Sequence, residues 1–86
     1  MTYEVKASKQ VRKFLLSCQK NIADQFYQKA KILAQDPYGK NLDVRILQGQ
    51  KENRRLRIGK YRFLYTMHKD QILIYFYEAD SRGDIY

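Results

Sequence analysis

The spacing of the apolar residues changes at Asp36-Pro37, where the helical runs end, and that change limits the folds open to the chain. Before it, apolar side chains recur at helical spacing; after it, they alternate. Val11, Phe14, Leu15 and Cys18 put an apolar stripe on a helix over residues 9–19, with Ser8 placed to cap its start. A second helix, read with Asn21 as its cap, carries the stripe Ile22, Phe26, Ala30 and Leu33. Ala23, Tyr27 and Ala34 flank that stripe, while Lys20, Lys29 and Lys31 mostly face water. Proline disfavours helical backbone in the residue before it, so Asp36-Pro37 ends this helix and Tyr38-Gly39 turns the chain. The link at 20–21 is short, which makes the helices an antiparallel hairpin.

Strand-like runs account for the rest. Tyr3 to Lys6 is a short one at the start. Leu42 to Leu47, Arg54 to Ile58, Tyr61 to Met67 and Ile72 to Ala79 follow the helices. Gln48-Gly49-Gln50 ends the first of these, and Gly59 reads as a bend or bulge. His68 falls in the turn His68-Lys69-Asp70-Gln71. The order expected is β-α-α-β-β-β. It describes an α+β domain whose helical hairpin packs on a mostly antiparallel four-stranded sheet. Tyr61, Tyr65, Tyr75 and Tyr77 are strand residues that fill or cover its core.

At 86 residues the chain makes one domain, spanning 1–86. Seventeen Lys plus Arg against nine Asp plus Glu give a net charge of +8 and a pI near 9.7. So much charge on a small domain favours an anionic partner: RNA, DNA or an acidic protein segment. Cys18 is the only cysteine, which excludes an internal disulfide and a cysteine metal site; it reads as a packed core thiol. His68 is the only histidine, so two-histidine acid–base chemistry is excluded too. The glycines at 39, 49, 59 and 83 are too scattered for a phosphate-binding loop, and no cofactor or metal is expected. The N-terminus has no apolar signal region, and no run approaches the roughly 20 apolar residues of a membrane span; a cytoplasmic protein is expected.

The charge is concentrated. From Asn53 on, cations fall at 54, 55, 57, 60 and 62 between apolar and aromatic residues, and the chain closes on Ser81-Arg82-Gly83-Asp84-Ile85-Tyr86. Alternation puts Arg55 and Arg57 on one strand face and Leu56 and Ile58 on the other, buried one. Arg62 stands on the next strand, and Arg82 and Tyr86 are close enough to the last strand to return to the same surface. A concave face with these guanidiniums, a phenol and Lys60 suits phosphate, because arginine forks match phosphate oxygens bidentately. Cutting RNA in line needs a base for the 2′-OH, charge stabilisation on the phosphorane and an acid for the 5′-oxygen. Tyr86 can serve as base if nearby arginines lower its pKa from about 10. Arg62 and Arg82 can hold the phosphorane charge. With so few proton carriers, such a site is slow on free RNA and depends on another body to position the substrate.

These residues resemble the RelE/ParE superfamily of bacterial toxin–antitoxin toxins, and its RelE branch most. The likeness spans nearly the whole chain: the first strand, the helices ending in Asp36-Pro37, the strand ending Leu47-Gln48-Gly49, and the run Arg55-Leu56-Arg57-Ile58-Gly59-Lys60-Tyr61-Arg62-Phe63-Leu64-Tyr65. The closing Arg82-Gly83-Asp84-Ile85-Tyr86 is similar to the family's terminal Arg-x-(acidic)-(aliphatic)-Tyr pattern. The resemblance implies an endoribonuclease that cuts mRNA in the ribosomal A site, leaves a 2′,3′-cyclic phosphate and stops translation. It implies catalytic roles for Arg62, Tyr86, Arg82 and Arg57, with Tyr86 as base and Arg62 stabilising the transition state. Arg55 and Arg57 match positions that hold the mRNA backbone and assist proton transfer, and Arg54 and Lys60 join Arg55 as phosphate-binding candidates. A cognate antitoxin with an acidic, partly disordered segment is implied as partner, beside ribosome and mRNA.

The chain departs from the family pattern at named places. Some members carry lysine where Arg55 and Arg57 stand; arginine keeps its proton and acts by electrostatics. Glu52 is a further base candidate, since a glutamate serves in some relatives. Two other readings stay open: a ParE-like inhibitor of DNA gyrase, and a catalytically degenerate toxin that binds RNA without cutting it.

Overall fold

The computed structural model describes residues 2–47 and 49–81. In chain order they form β1 (Glu4–Ala7), α1 (Lys9–Ser17), α2 (Lys20–Gln35), β2 (Val44–Leu47), β3 (Gln50–Ile58), β4 (Tyr61–His68) and β5 (Leu73–Ser81). All the strands enter one sheet, ordered β1-β5-β4-β3-β2. The expected four strands are thus five, and the order is β-α-α-β-β-β-β. The added strand lies after the helices, where all four strand-like runs enter the sheet and not three. The place of β1 is set by a non-local pairing: it lies parallel beside β5, with Glu4 opposite Leu73 and Ala7 opposite Phe76. The remaining pairings are antiparallel, so the α+β architecture with helices on one sheet face is as expected.

Ser8 caps α1: its hydroxyl accepts from the Val11 N–H at 3.2 Å. The same hydroxyl donates to the Tyr77 carbonyl at 3.1 Å, fastening the helix start to β5. The second helix begins earlier than expected. Cys18 is already extended (ψ 173°) and Gln19 is the N-cap, with no side-chain capping bond, so Asn21 lies inside the first turn of α2. Gln19 caps through its backbone carbonyl, which accepts from the Ile22 and Ala23 N–H groups at 3.0 and 3.2 Å. Past α2, the Asp36 carboxylate accepts from the Tyr38 and Lys40 N–H groups at 3.3 and 3.2 Å, closing the turn. Gly39 takes φ +63° there, and a Cβ on it would stand 2.6 Å from Val44 Cγ2.

The core lies between the helices and one sheet face. Val11, Leu15, Ile22, Phe26, Ala30 and Leu33 meet Leu56, Ile58, Phe63, Tyr65, Met67, Ile74, Phe76 and Ala79, all buried. Phe26 sits at its centre, 4.7 Å from the Phe63 ring and 4.8 Å from that of Phe76. Cys18 is half-buried and packs against this core, as expected of a structural thiol. The buried Tyr65 phenol donates to the Pro37 carbonyl at 2.9 Å and so ties β4 to the helix-terminating turn. Burial pushes that phenol's pKa up to about 12; Arg54 opposes the rise and Asp36 adds to it. Among the described residues no helix is long and apolar enough to cross a membrane.

Two features set the register of the open face. Ile58 pairs with Tyr61, so Gly59 (φ +60°) and Lys60 form a two-residue hairpin turn rather than a bulge inside a strand. The bulge lies in β5. Tyr65 pairs with Phe76 but Leu64 pairs with Glu78, leaving Tyr77 as the extra residue. Beyond Tyr77 the alternation changes phase, and Ala79 turns into the core.

Candidate nucleic-acid interface

The sheet face turned away from the helices carries the basic residues. Leu56 and Ile58 are buried as the alternation predicts, which puts Arg55 and Arg57 on the open side. Arg62 on β4 stands directly opposite Arg57, and Arg45 on β2 opposite Arg55. The structure therefore brings together three candidates from the sequence, Arg55, Arg57 and Arg62, with Arg45 beside them.

Carboxylates are interleaved with these cations. Asp80 is the β5 partner of Arg62, and it accepts from Arg62 Nε and Nη2 through its two oxygens, both at 3.1 Å. Both side chains are largely covered, 23% and 30% exposed. Asp43 lies just before β2; its carbonyl accepts from the Arg57 N–H at 2.9 Å. Its carboxylate accepts from Arg55 Nη2 at 3.3 Å and lies 3.6 Å from Arg57 Nε, which also donates to the Gly59 carbonyl at 3.1 Å. Arg55 is the most covered of the arginines in these ion pairs, at 15%. Among the described residues, these three guanidiniums meet the carboxylates of Asp43 and Asp80, with Arg45 as a further cation beside them.

Sequence reasoning missed Asp80, and the bulge explains why. In the register nearer the turn Met67 pairs with Ile74 and Thr66 with Tyr75; continued without Tyr77 as an extra residue, it would set Arg62 against Ala79. The one-residue bulge brings Asp80 opposite instead. Asp43, inside the run expected as a strand, lies just before β2 in the structure; it was missed because it answers to Arg55 and Arg57 across the β2–β3 pairing.

Other candidates lie elsewhere. Arg54 has the parity of Leu56 and Ile58 and points to the helix-side face, its guanidinium 5.0 Å over the Tyr38 ring. Lys69 joins the same ring at 5.6 Å, and its pKa is raised, first by the hydrogen bond with Tyr38. Glu52 is exposed and contributes to the field at Lys69, which sets it apart from the three arginines. Lys60 sits in the hairpin turn with its ammonium 5.9 Å over the Tyr61 ring, which packs edge-on to Phe14. His68 ends β4, opposite Leu73. Arg82 and Tyr86 lie outside the described residues.

Two helices on one face of a five-stranded sheet, with an arginine-rich opposite face, define a small α+β protein with a basic sheet surface. A chain of the archaeal RelE–RelB complex from Pyrococcus horikoshii is 34% identical, with a TM-score of 0.85 over 96% of this chain and 98% of that one. A RelE toxin from E. coli shares the fold at 13% identity, with a TM-score of 0.81 over 99% of this chain and 88% of its own. A chain of the RelB–RelE antitoxin–toxin complex from Methanococcus jannaschii does so at 22% identity, with a TM-score of 0.73 over 93% of each chain. No protein-family model and no curated protein matches the sequence. The chain belongs to the RelE family of toxins.

Proposed function

We propose that the chain is the toxin of a toxin–antitoxin pair and a ribosome-dependent endoribonuclease that cuts mRNA in the A site of cytoplasmic ribosomes. One observation carries the reading most: Arg57 and Arg62 face each other across β3 and β4, with Arg55 adjacent, on the sheet face turned away from α1 and α2. Guanidiniums held by a sheet present fixed donors, and fixed donors stabilise a developing charge without reorganising. In this reading Arg55 and Arg57 hold the mRNA backbone and Arg62 takes the phosphorane charge. Arg82 assists Arg62, and Tyr86 removes the 2′-OH proton as that oxygen attacks phosphorus. The bond from phosphorus to the 5′-oxygen breaks, that oxygen takes its proton from solvent because the arginines keep theirs, and the product is a 2′,3′-cyclic phosphate. The ribosome supplies the positioning that the site lacks.

The matched chains from P. horikoshii and M. jannaschii come from complexes with RelB. By the same arrangement this toxin has a cognate antitoxin with an acidic, partly disordered segment, suited to the +8 charge. The pairing of Arg55, Arg57 and Arg62 with Asp43 and Asp80 also favours a second reading, a toxin that binds RNA but has lost cleavage. Programmed ribosomes with a defined A-site codon separate the two. The purified chain should cut their mRNA, mapped by primer extension, leave naked mRNA intact, and lose activity as Arg62→Ala. Intact ribosomal mRNA with a folded protein refutes cleavage, and a supercoiling assay then tests gyrase inhibition.

A further inference from the structure

Arg62 is held by an anion of its own chain. The Asp80 carboxylate meets the guanidinium side-on through two hydrogen bonds, both 3.1 Å, in the fork geometry that arginine uses for phosphate oxygens. Nothing in a regular hairpin requires this pairing: the Tyr77 bulge creates it by moving Asp80 into the place where Ala79 would otherwise fall. The Ala79 backbone is then clasped by Gln10 of α1, whose side-chain amide donates to its carbonyl at 2.8 Å and accepts from its N–H at 2.9 Å. The position next to Asp80 is thus fixed from the far side of the sheet.

We propose that Asp80 is the resting occupant of the phosphate site on Arg62. In the free toxin it aligns the guanidinium and neutralises it; an RNA phosphodiester takes the place of one bidentate anion with another. This rests on the reading of the open face as an RNA site. The exchange keeps affinity for arbitrary RNA low and releases Arg62 only to a phosphate that something else has already placed. Asp80 is a positioning residue, acting through Arg62. Asp43 plays a weaker version of the part toward Arg55 and Arg57, since it is 49% exposed.

The test is fluorescence anisotropy of a mixed-sequence 2′-O-methyl RNA oligonucleotide, which cannot be cleaved, titrated with the full chain over a range of NaCl. Asp80→Asn should bind about threefold tighter, the scale of one ion pair at the protein surface removed. Its slope of log affinity against log salt should steepen by about 0.7, one more phosphate neutralised on a single strand. Asp80→Glu should bind like wild type, and Asp80→Asn should bring no gain in an Arg62→Ala background. Equal or weaker binding by a cooperatively melting Asp80→Asn, or a gain that survives Arg62→Ala, overturns the proposal while leaving the RNA reading intact. A wild-type chain that binds no oligonucleotide even at low salt refutes the RNA reading and this proposal with it. Should Asp80→Asn not fold, carbon-detected NMR of the wild type decides. The Asp80 carboxyl and Arg62 Nε–H resonances should shift together on RNA binding, and an unmoved Asp80 resonance in the bound protein overturns the proposal.

Discussion

Tyr65 should govern how this protein fails at alkaline pH. Its phenol is fully buried, donates to the Pro37 carbonyl at 2.9 Å, and has its pKa pushed up to about 12 by burial. In the unfolded chain the same phenol titrates near 10. The folded value is the higher, so this contribution is fully present below pH 10. It falls away as pH rises toward 12, because only the unfolded state sheds the proton in that interval. One proton bound to the folded but not the unfolded state costs about 1.4 kcal/mol per pH unit, so the whole window is worth at most about 3 kcal/mol. For a small domain of roughly 5–10 kcal/mol total stability, that is a decisive share.

The perturbation is Tyr65→Phe, which keeps the ring and removes the titrating group. At neutral pH it should cost about 1–2 kcal/mol, since the buried Pro37 carbonyl loses its donor. Urea unfolding followed by circular dichroism, at intervals from pH 7 to pH 12, gives both numbers for wild type and variant. The two stability curves should start apart and converge above pH 10, wild type falling the faster. Every other side chain is the same in both proteins, so the difference isolates Tyr65. Curves that stay parallel from pH 9 to pH 12 would refute the assignment of the alkaline transition to this phenol.

Phe26→Ala empties the place between the Phe63 and Phe76 rings and should cost about 3–5 kcal/mol, enough to leave the domain marginal in a thermal melt. Gly39→Ala should destabilise by more than about 1 kcal/mol, because its Cβ would stand 2.6 Å from Val44 Cγ2. At Gly59 no atom lies within 4 Å of an added Cβ, so Gly59→Ala should cost only the backbone strain, and chemical denaturation should rank the two accordingly. Gln10→Ala removes both bonds to the Ala79 backbone and should cost about 1–2 kcal/mol, with hydrogen exchange at Ala79 speeding more than at Phe63. Arg62→Ala should relieve growth arrest on expression while the protein still melts cooperatively and still binds its antitoxin.

Local signals in the chain were sufficient for what local physics decides. The helix stripes, the Ser8 cap, the Asp36-Pro37 boundary and the split between Arg55 and Arg57 outside and Leu56 and Ile58 inside all follow from spacing, and the structure has each of them. Arg54 was open to the same argument, since it shares the parity of Leu56 and Ile58; grouping it with its neighbours by charge hid that. The start of α2 was missed because Gln19 caps through its backbone alone. What spacing cannot supply is pairing across the chain. The β1–β5 pairing, the Gln10 clasp and the Asp43 and Asp80 partners depend on residues far apart in sequence, and the Arg62–Asp80 pair needs a bulge that shifts the register by one.

That bulge joins the two faces of the sheet. β1 pairs with β5 only as far as Ala7, opposite Phe76, so from Tyr77 onward β5 would present an unpaired edge. The start of α1 takes over from the strand: Ser8 bonds the Tyr77 carbonyl, and Gln10 bonds both backbone groups of Ala79. These contacts satisfy an edge that would otherwise recruit another chain, and they hold the extra residue in place. The extra residue in turn faces Ala79 to the core and Asp80 to Arg62. The position of the charged pair on the open face is therefore set by a cap and an amide on the helical side. A change at Ser8 or Gln10 reaches Arg62 through the backbone of β5, without touching any residue of the basic face.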